Sequence, residues 1–118
     1  DTFFAPGSAN VNLEETRSTL QKLADILSAE ELASRTFRIE GHTDDRPTDP
    51  NGEFPTNWHL GSARSLEIFR LLEEYGVDEE QIQIMSLSDT VPVATNDTAE
   101  GRAYNRRVDV VVLSEGNV

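Results

Sequence analysis

Residues 57–76 constrain the fold more than any other stretch. Leu60, Ala63, Leu66, Ile68, Phe69, Leu71 and Leu72 recur at helical spacing behind Asn57, a good N-cap, and Gly76 stands at the left-handed stop position after Tyr75. A helix with such an apolar stripe has to lay it against another element. Strands are available on either side. Residues 36–40 alternate polar and apolar with Phe37 and Ile39 on one face, residues 81–85 alternate again, and residues 107–113 are the most β-prone run in the chain. Upstream, Leu13, Leu20, Leu23, Ala24 and Leu27 predict a second amphipathic helix over 13–27, opened by a capping box of Asn12 and Glu15. Thr2-Phe3-Phe4 is a short apolar start, stopped by Ala5-Pro6-Gly7, and residues 98–102 read as a short helix or turn. This order predicts a small α/β (α+β) sandwich, with a mixed four-stranded sheet and helices packed on one face.

The length of 118 residues suits one domain, here taken as 1–118. A formal net charge of −12, from 22 acidic and 10 basic residues, repels nucleic-acid phosphates and anionic lipid headgroups, so neither is expected as a partner. The absence of cysteine removes thiol catalysis, disulfides and thiolate metal sites. No apolar stretch approaches the length of a membrane span, and the chain begins at Asp1 rather than Met, as a fragment or processed form of a longer protein would.

Two segments carry candidate chemistry. Gly41-His42-Thr43-Asp44-Asp45 lies where the first internal strand runs out, and Asn57 to Arg64 opens the main helix, with a loop holding Pro47, Pro50 and Pro55 between them. A strand end thus delivers the Asp44 carboxylate and a helix delivers the Arg64 guanidinium to opposite sides of one pocket. Asn57, Leu60 and Arg64, spaced by three and four residues, share one side of that helix. A guanidinium can grip a carboxylate through two parallel hydrogen bonds, while a carboxylate accepts from an ammonium, so the pair suits a small zwitterion. By spacing alone, Asp44 and Arg64 pairing with each other or with solvent is the favoured reading, and Asn57 as a plain N-cap likewise.

Other chemistries fit less well. His42, Asp44, Asp45 and His59 lack regular metal-ligand spacing, so no metal and no cofactor is expected, and His42 reads as a strand-end histidine bonded to backbone. Trp58 reads as a packing residue rather than a sugar platform. Gly61-Ser62-Ala63 is not a nucleophile elbow and falls inside a helix, so no catalytic residue is assigned. Gly101 to Arg107 is the one basic cluster; its arginines read as ion-pair partners for the excess carboxylates, and the functional version has one of them reaching under Asp44 to orient it.

Gly41-His42-Thr43-Asp44, Asn57-x-x-Leu60-x-x-x-Arg64 and Asn96-Asp97-Thr98-x-Glu100-Gly101-Arg102-Ala103-x-Asn105-Arg106-Arg107-Val108, in this order, resemble the OmpA-like peptidoglycan-binding domain over residues 3–113. The Phe-Pro-Thr-Asn-Trp approach to the helix and the Phe-Ala-Pro-Gly-Ser-Ala opening look most like the branch found in MotB-type flagellar stator proteins. The resemblance implies a non-catalytic domain that anchors a larger envelope protein to the cell wall, on the periplasmic side of an inner-membrane-anchored Gram-negative protein. Its ligand would be the diaminopimelate of the stem peptide, held by Asp44 and Arg64 and lined by Thr43, Asn57 and Leu60, with Arg106 and Arg107 in support. It further implies a homodimer and a membrane partner reached through the region before Asp1. Three positions depart from the family pattern: Ala5 in place of an acidic residue, Gly61 in place of serine, and Ser86-Leu87-Ser88-Asp89 in place of a glycine turn. With these departures a module that has lost wall binding and uses its acidic face for a protein partner remains a reading, and so does a hydrolase of wall peptide, for which no nucleophile or metal cage is visible.

Overall fold

The structure, a computed structural model, describes residues 4–11 and 14–114. Helix α1 covers Glu14–Leu27, strand β1 Phe37–His42, helix α2 Asn57–Glu74, strand β2 Ile82–Ser88, helix α3 Ala99–Asn105 and strand β3 Val108–Val112. Short 3-10 turns at Glu30–Leu32 and Glu79–Gln81 lead into β1 and β2, the second capped by Asp78, whose side chain accepts from the Glu80 amide. The expected capping box on Asn12, and Leu13 with it, lie outside the described residues. Thr56, one residue earlier than expected, caps α2 by accepting from the His59 amide, and Gly76 ends it at φ 111°, the left-handed conformation its position predicts.

The sheet has the order β2-β1-β3, with β1 parallel to β2 and antiparallel to β3. Alternation along β1 decides which face is covered. Phe37 and Ile39 are fully buried and join Leu20, Ala24 and Leu27 of α1 and Ile68, Leu71 and Leu72 of α2 in one apolar core. Arg38, Glu40 and His42 point to the opposite face. Helix α2 lies across β1 and β2, and α1 packs beside it.

The expected four-stranded sheet is corrected to three strands among the described residues. The fourth strand would come from the apolar start Thr2-Phe3-Phe4, of which Thr2 and Phe3 lie outside the described residues and Phe4 forms a bend. The Phe4 ring is buried in the core beneath the Arg64 guanidinium, 4.9 Å from the ring centroid, and its carbonyl accepts from Arg106 Nε at 3.0 Å.

Two glycines set how closely α2 approaches the sheet. A Cβ on Gly41 would overlap the carbonyl of Gly61, and one on Gly61 would strike the Ser86 hydroxyl. The Gly61 departure therefore has a packing reason that outweighs its cost to helix propensity, about 1 kcal/mol relative to alanine. At Gly41 the nearest obstacle is backbone, which cannot turn aside; at Gly61 it is the Ser86 hydroxyl, which can rotate, with the Gly41 carbonyl next at 3.0 Å. Gly41→Ala should lower unfolding stability by roughly 1–3 kcal/mol as α2 is pushed off β1, whereas Gly61→Ala should cost less than half as much. Urea unfolding of both variants checks the order.

Candidate functional site

The site begins where β1 stops. The β1–β2 register pairs Gly41 with Ser86 and His42 with Ser88, so Leu87 is an extra residue in a bulge, and Ser88 takes the left-handed conformation with φ 53°. The departure from a glycine turn at 86–89 is accommodated by that strained serine. The Ser88 carbonyl then accepts from the Thr43 amide at 2.9 Å, and the bulge turns the following residues out of the sheet.

Asp44 is fixed on both oxygens. Its Oδ1 accepts from the Arg46 amide at 3.0 Å, closing an Asx turn, and its Oδ2 accepts from Arg106 Nη1 at 3.0 Å. Only 6% of Asp44 is exposed. The favoured sequence-based pairing of Asp44 with Arg64 is therefore corrected: Arg106, rising from the end of α3, takes the carboxylate because its Nε is already anchored on the Phe4 carbonyl.

Arg64 is 0% exposed, and each of its nitrogens donates to a backbone carbonyl: Nε to Ser8 at 2.9 Å, Nη1 to His42 at 3.0 Å and Nη2 to Ala5 at 3.2 Å. Burial lowers its pKa to about 10, the Asp44 charge opposing the shift and Arg106 adding to it. It stays charged at neutral pH and lines the cavity described next. Asn57 Nδ2 donates to the carbonyls of Arg46, at 3.1 Å, and Asp44, at 3.5 Å, which leaves Oδ1 buried with no hydrogen-bond partner among the described residues.

Between these groups opens a cavity of about 390 Å³, walled by Asp44, Asn57, Leu60 and Arg64 and roofed by Pro6-Gly7 and the proline loop. Its chemistry is that of a zwitterion site. Its lining pairs a carboxylate, which suits an ammonium, with a guanidinium, which suits a carboxylate, beside the apolar wall of Leu60.

The structure thus brings Asp44, Asn57, Leu60 and Arg64 to one place, with Arg106 bracing Asp44, and sets other residues singled out by sequence apart from it. Thr43 does not line the cavity; it is buried, and its hydroxyl donates to the Asp44 carbonyl at 2.8 Å, so it acts on the loop. Arg107 is turned to the other face of the sheet, bonded to Asp109 and the Val91 carbonyl. His59 bonds its cap residue Thr56. Trp58, read as packing, is 53% exposed instead. Sequence reasoning missed the walls supplied by Pro6, Gly7 and the loop from Arg46 to Phe54, which carry no recognisable spacing.

Comparison with known proteins then decides the family. The OmpA family profile matches residues 3–106. The chain belongs to the OmpA family. It is 36% identical to motility protein B of Bacillus subtilis over 115 residues, 97% of this chain and 42% of that protein. It is 34% identical to outer membrane porin F of Pseudomonas aeruginosa over 102 residues, 86% of this chain and 27% of that one. The chain therefore spans less than half the length of these curated relatives. Among solved structures, the C-terminal domain of Helicobacter pylori MotB superposes with a TM-score of 0.86 at 26% identity, covering 98% of this chain and 86% of that one. The peptidoglycan-associated lipoprotein from Burkholderia pseudomallei gives 0.80 at 30% identity, over 95% and 88%.

In this OmpA-family domain Arg64 is both a pocket wall and a strut. Arg64→Ala strands three carbonyls and removes the cation over Phe4, so it should cost roughly 2–4 kcal/mol of stability. Arg64→Lys keeps the charge but not the fork and should recover less than half of that loss. Thermal unfolding followed by circular dichroism reads both.

Proposed function

We propose that this OmpA-family chain is a non-catalytic anchor that binds peptidoglycan through the diaminopimelate of the stem peptide. The observation that carries the reading is the juxtaposition of the braced Asp44 carboxylate, the partnerless Asn57 Oδ1 and the charged Arg64 edge around one cavity. Asp44 and Asn57 would take the ammonium of the diaminopimelate side chain and Arg64 its carboxylate, with Leu60 against the methylenes. The likeness to a peptidoglycan-associated lipoprotein supports the ligand class, and the likeness to motility protein B supports a place in a flagellar stator B subunit. In that role the chain is the periplasmic part of an envelope protein held to the inner membrane, working as a homodimer so that two modest sites give avidity.

The alanine at position 5 need not abolish binding on this reading, because the Ala5 carbonyl, rather than its side chain, braces Arg64. The test is co-sedimentation with sacculi. Wild type should pellet with diaminopimelate-type wall and stay in the supernatant with lysine-type wall, which lacks the second carboxylate. Asp44→Asn, folded by circular dichroism, should bind at least roughly tenfold more weakly, as expected for loss of a charge-assisted hydrogen bond worth about 1.5–3 kcal/mol. Wild type that ignores both walls would overturn the anchor and favour a protein-interaction module.

A further inference from the structure

The face of the sheet turned away from the helices holds a second cluster, made of side chains that do not line the pocket. Glu40 and His42 are two apart on β1 and so share that face, and Asp109 of β3 is the cross-strand partner of Glu40. One ligand atom from each of Glu40, His42 and Asp109 lies within 4.8 Å of the others. Two carboxylates directly opposite on antiparallel strands repel each other, so the arrangement needs a cation nearby.

Arginines supply part of that charge. Arg38 Nε bonds Glu40 at 2.8 Å, and Arg107 Nε bonds Asp109 at 3.2 Å. The imidazole is what they leave unexplained. His42 is 1% exposed, yet neither ring nitrogen has a hydrogen-bond partner among the described residues. Its Nε2 stands 3.2 Å from Asp109 Oδ2 without the alignment of a hydrogen bond. A buried imidazole nitrogen without a hydrogen bond, 3.2 Å from one carboxylate and within 4.8 Å of a second, is placed as a ligand of an electron-pair acceptor would be.

We propose that Glu40, His42 and Asp109 form a binding site for a divalent transition-metal cation of the zinc type. One imidazole nitrogen and two carboxylate oxygens suit zinc, whose ligands sit at about 2.0–2.2 Å, with the fourth position left to water. Rotation of the Glu40 side chain closes the cluster on an ion. Arg38 and Arg107 compete for the same oxygens and repel the cation, which makes the site a modest one and gives it a signature: removing a competing arginine should tighten it. The imidazole distinguishes it from a calcium or magnesium site, which would be built from oxygen alone.

Isothermal titration of zinc chloride into the 118-residue chain at neutral pH tests this. One site is expected, not displaced by an equal concentration of calcium. Glu40→Gln and Asp109→Asn, both away from the core, should each weaken it roughly tenfold, by analogy with the loss of groups that tune a metal site. Arg38→Gln should strengthen it several-fold, and His59→Ala, an exposed histidine elsewhere, should leave it unchanged. His42→Gln should abolish it, with circular dichroism confirming the fold. No one-site heat up to millimolar zinc overturns the proposal. Binding that survives Glu40→Gln and Asp109→Asn, or that calcium matches, also overturns it, and means diffuse attraction to the acidic surface. The zinc titration reads Glu40, His42 and Asp109, whereas sacculus binding reads the cavity walled by Asp44, Asn57, Leu60 and Arg64, so the two are scored separately although the His42 backbone touches Arg64.

Discussion

The buried guanidinium of Arg64 is the interaction on which the rest of the site depends. It ties together three stretches far apart in sequence: the turn at Ala5 to Ser8, the end of β1 at His42, and helix α2 that carries it. Burying a charge in this way is unfavourable unless hydrogen bonds replace the lost water, and three carbonyls do so. The depressed pKa records that burial is not fully offset. A fold that needed only stability would place an apolar side chain there. One that needs a rigid, charged pocket wall keeps the arginine.

The second arginine makes the first effective. Without Arg106, Asp44 would face Arg64 across the cavity and the two would neutralise each other, leaving nothing for a ligand. Because Arg106 reaches the far oxygen of Asp44 from α3, while the Arg46 amide holds the near one, the carboxylate is oriented without being consumed. Opposite charges are held apart at the mouth of one cavity. Such a separation of charge is what the proposed zwitterionic ligand requires.

Much of this was legible along the chain. Helix α2 with its glycine stop, both internal strands and β3 appear as periodic runs, and the boundaries moved by one to three residues. Asp44, Asn57, Leu60 and Arg64 could be placed on one site because a strand end and a helix face have fixed periods. Thr43 and Arg107 went astray for the same reason: adjacent residues on an extended chain point to opposite sides, and sequence does not say which side faces the pocket. The first strand failed because Phe4 reads as β-prone, while its actual partners, Arg64 and Arg106, lie 60 and 102 residues away. His42 was expected on backbone, yet its ring looks across the sheet to Asp109, a register relation that exists only once β1 and β3 are paired.

The sequence by itself determined the alternation of helices and strands, the acidic surface, and the presence of one carboxylate and one guanidinium at the ends of adjoining elements. These follow from local periodicity, capping and composition. Only the tertiary structure decided which arginine pairs with Asp44, that Arg64 is a strut as well as a wall, and that Glu40, His42 and Asp109 converge on the open face. Those outcomes depend on how closely α2 can approach β1 across Gly41 and Gly61, and on the register of β1 against β3. Both are set by packing between distant segments, which no local pattern encodes.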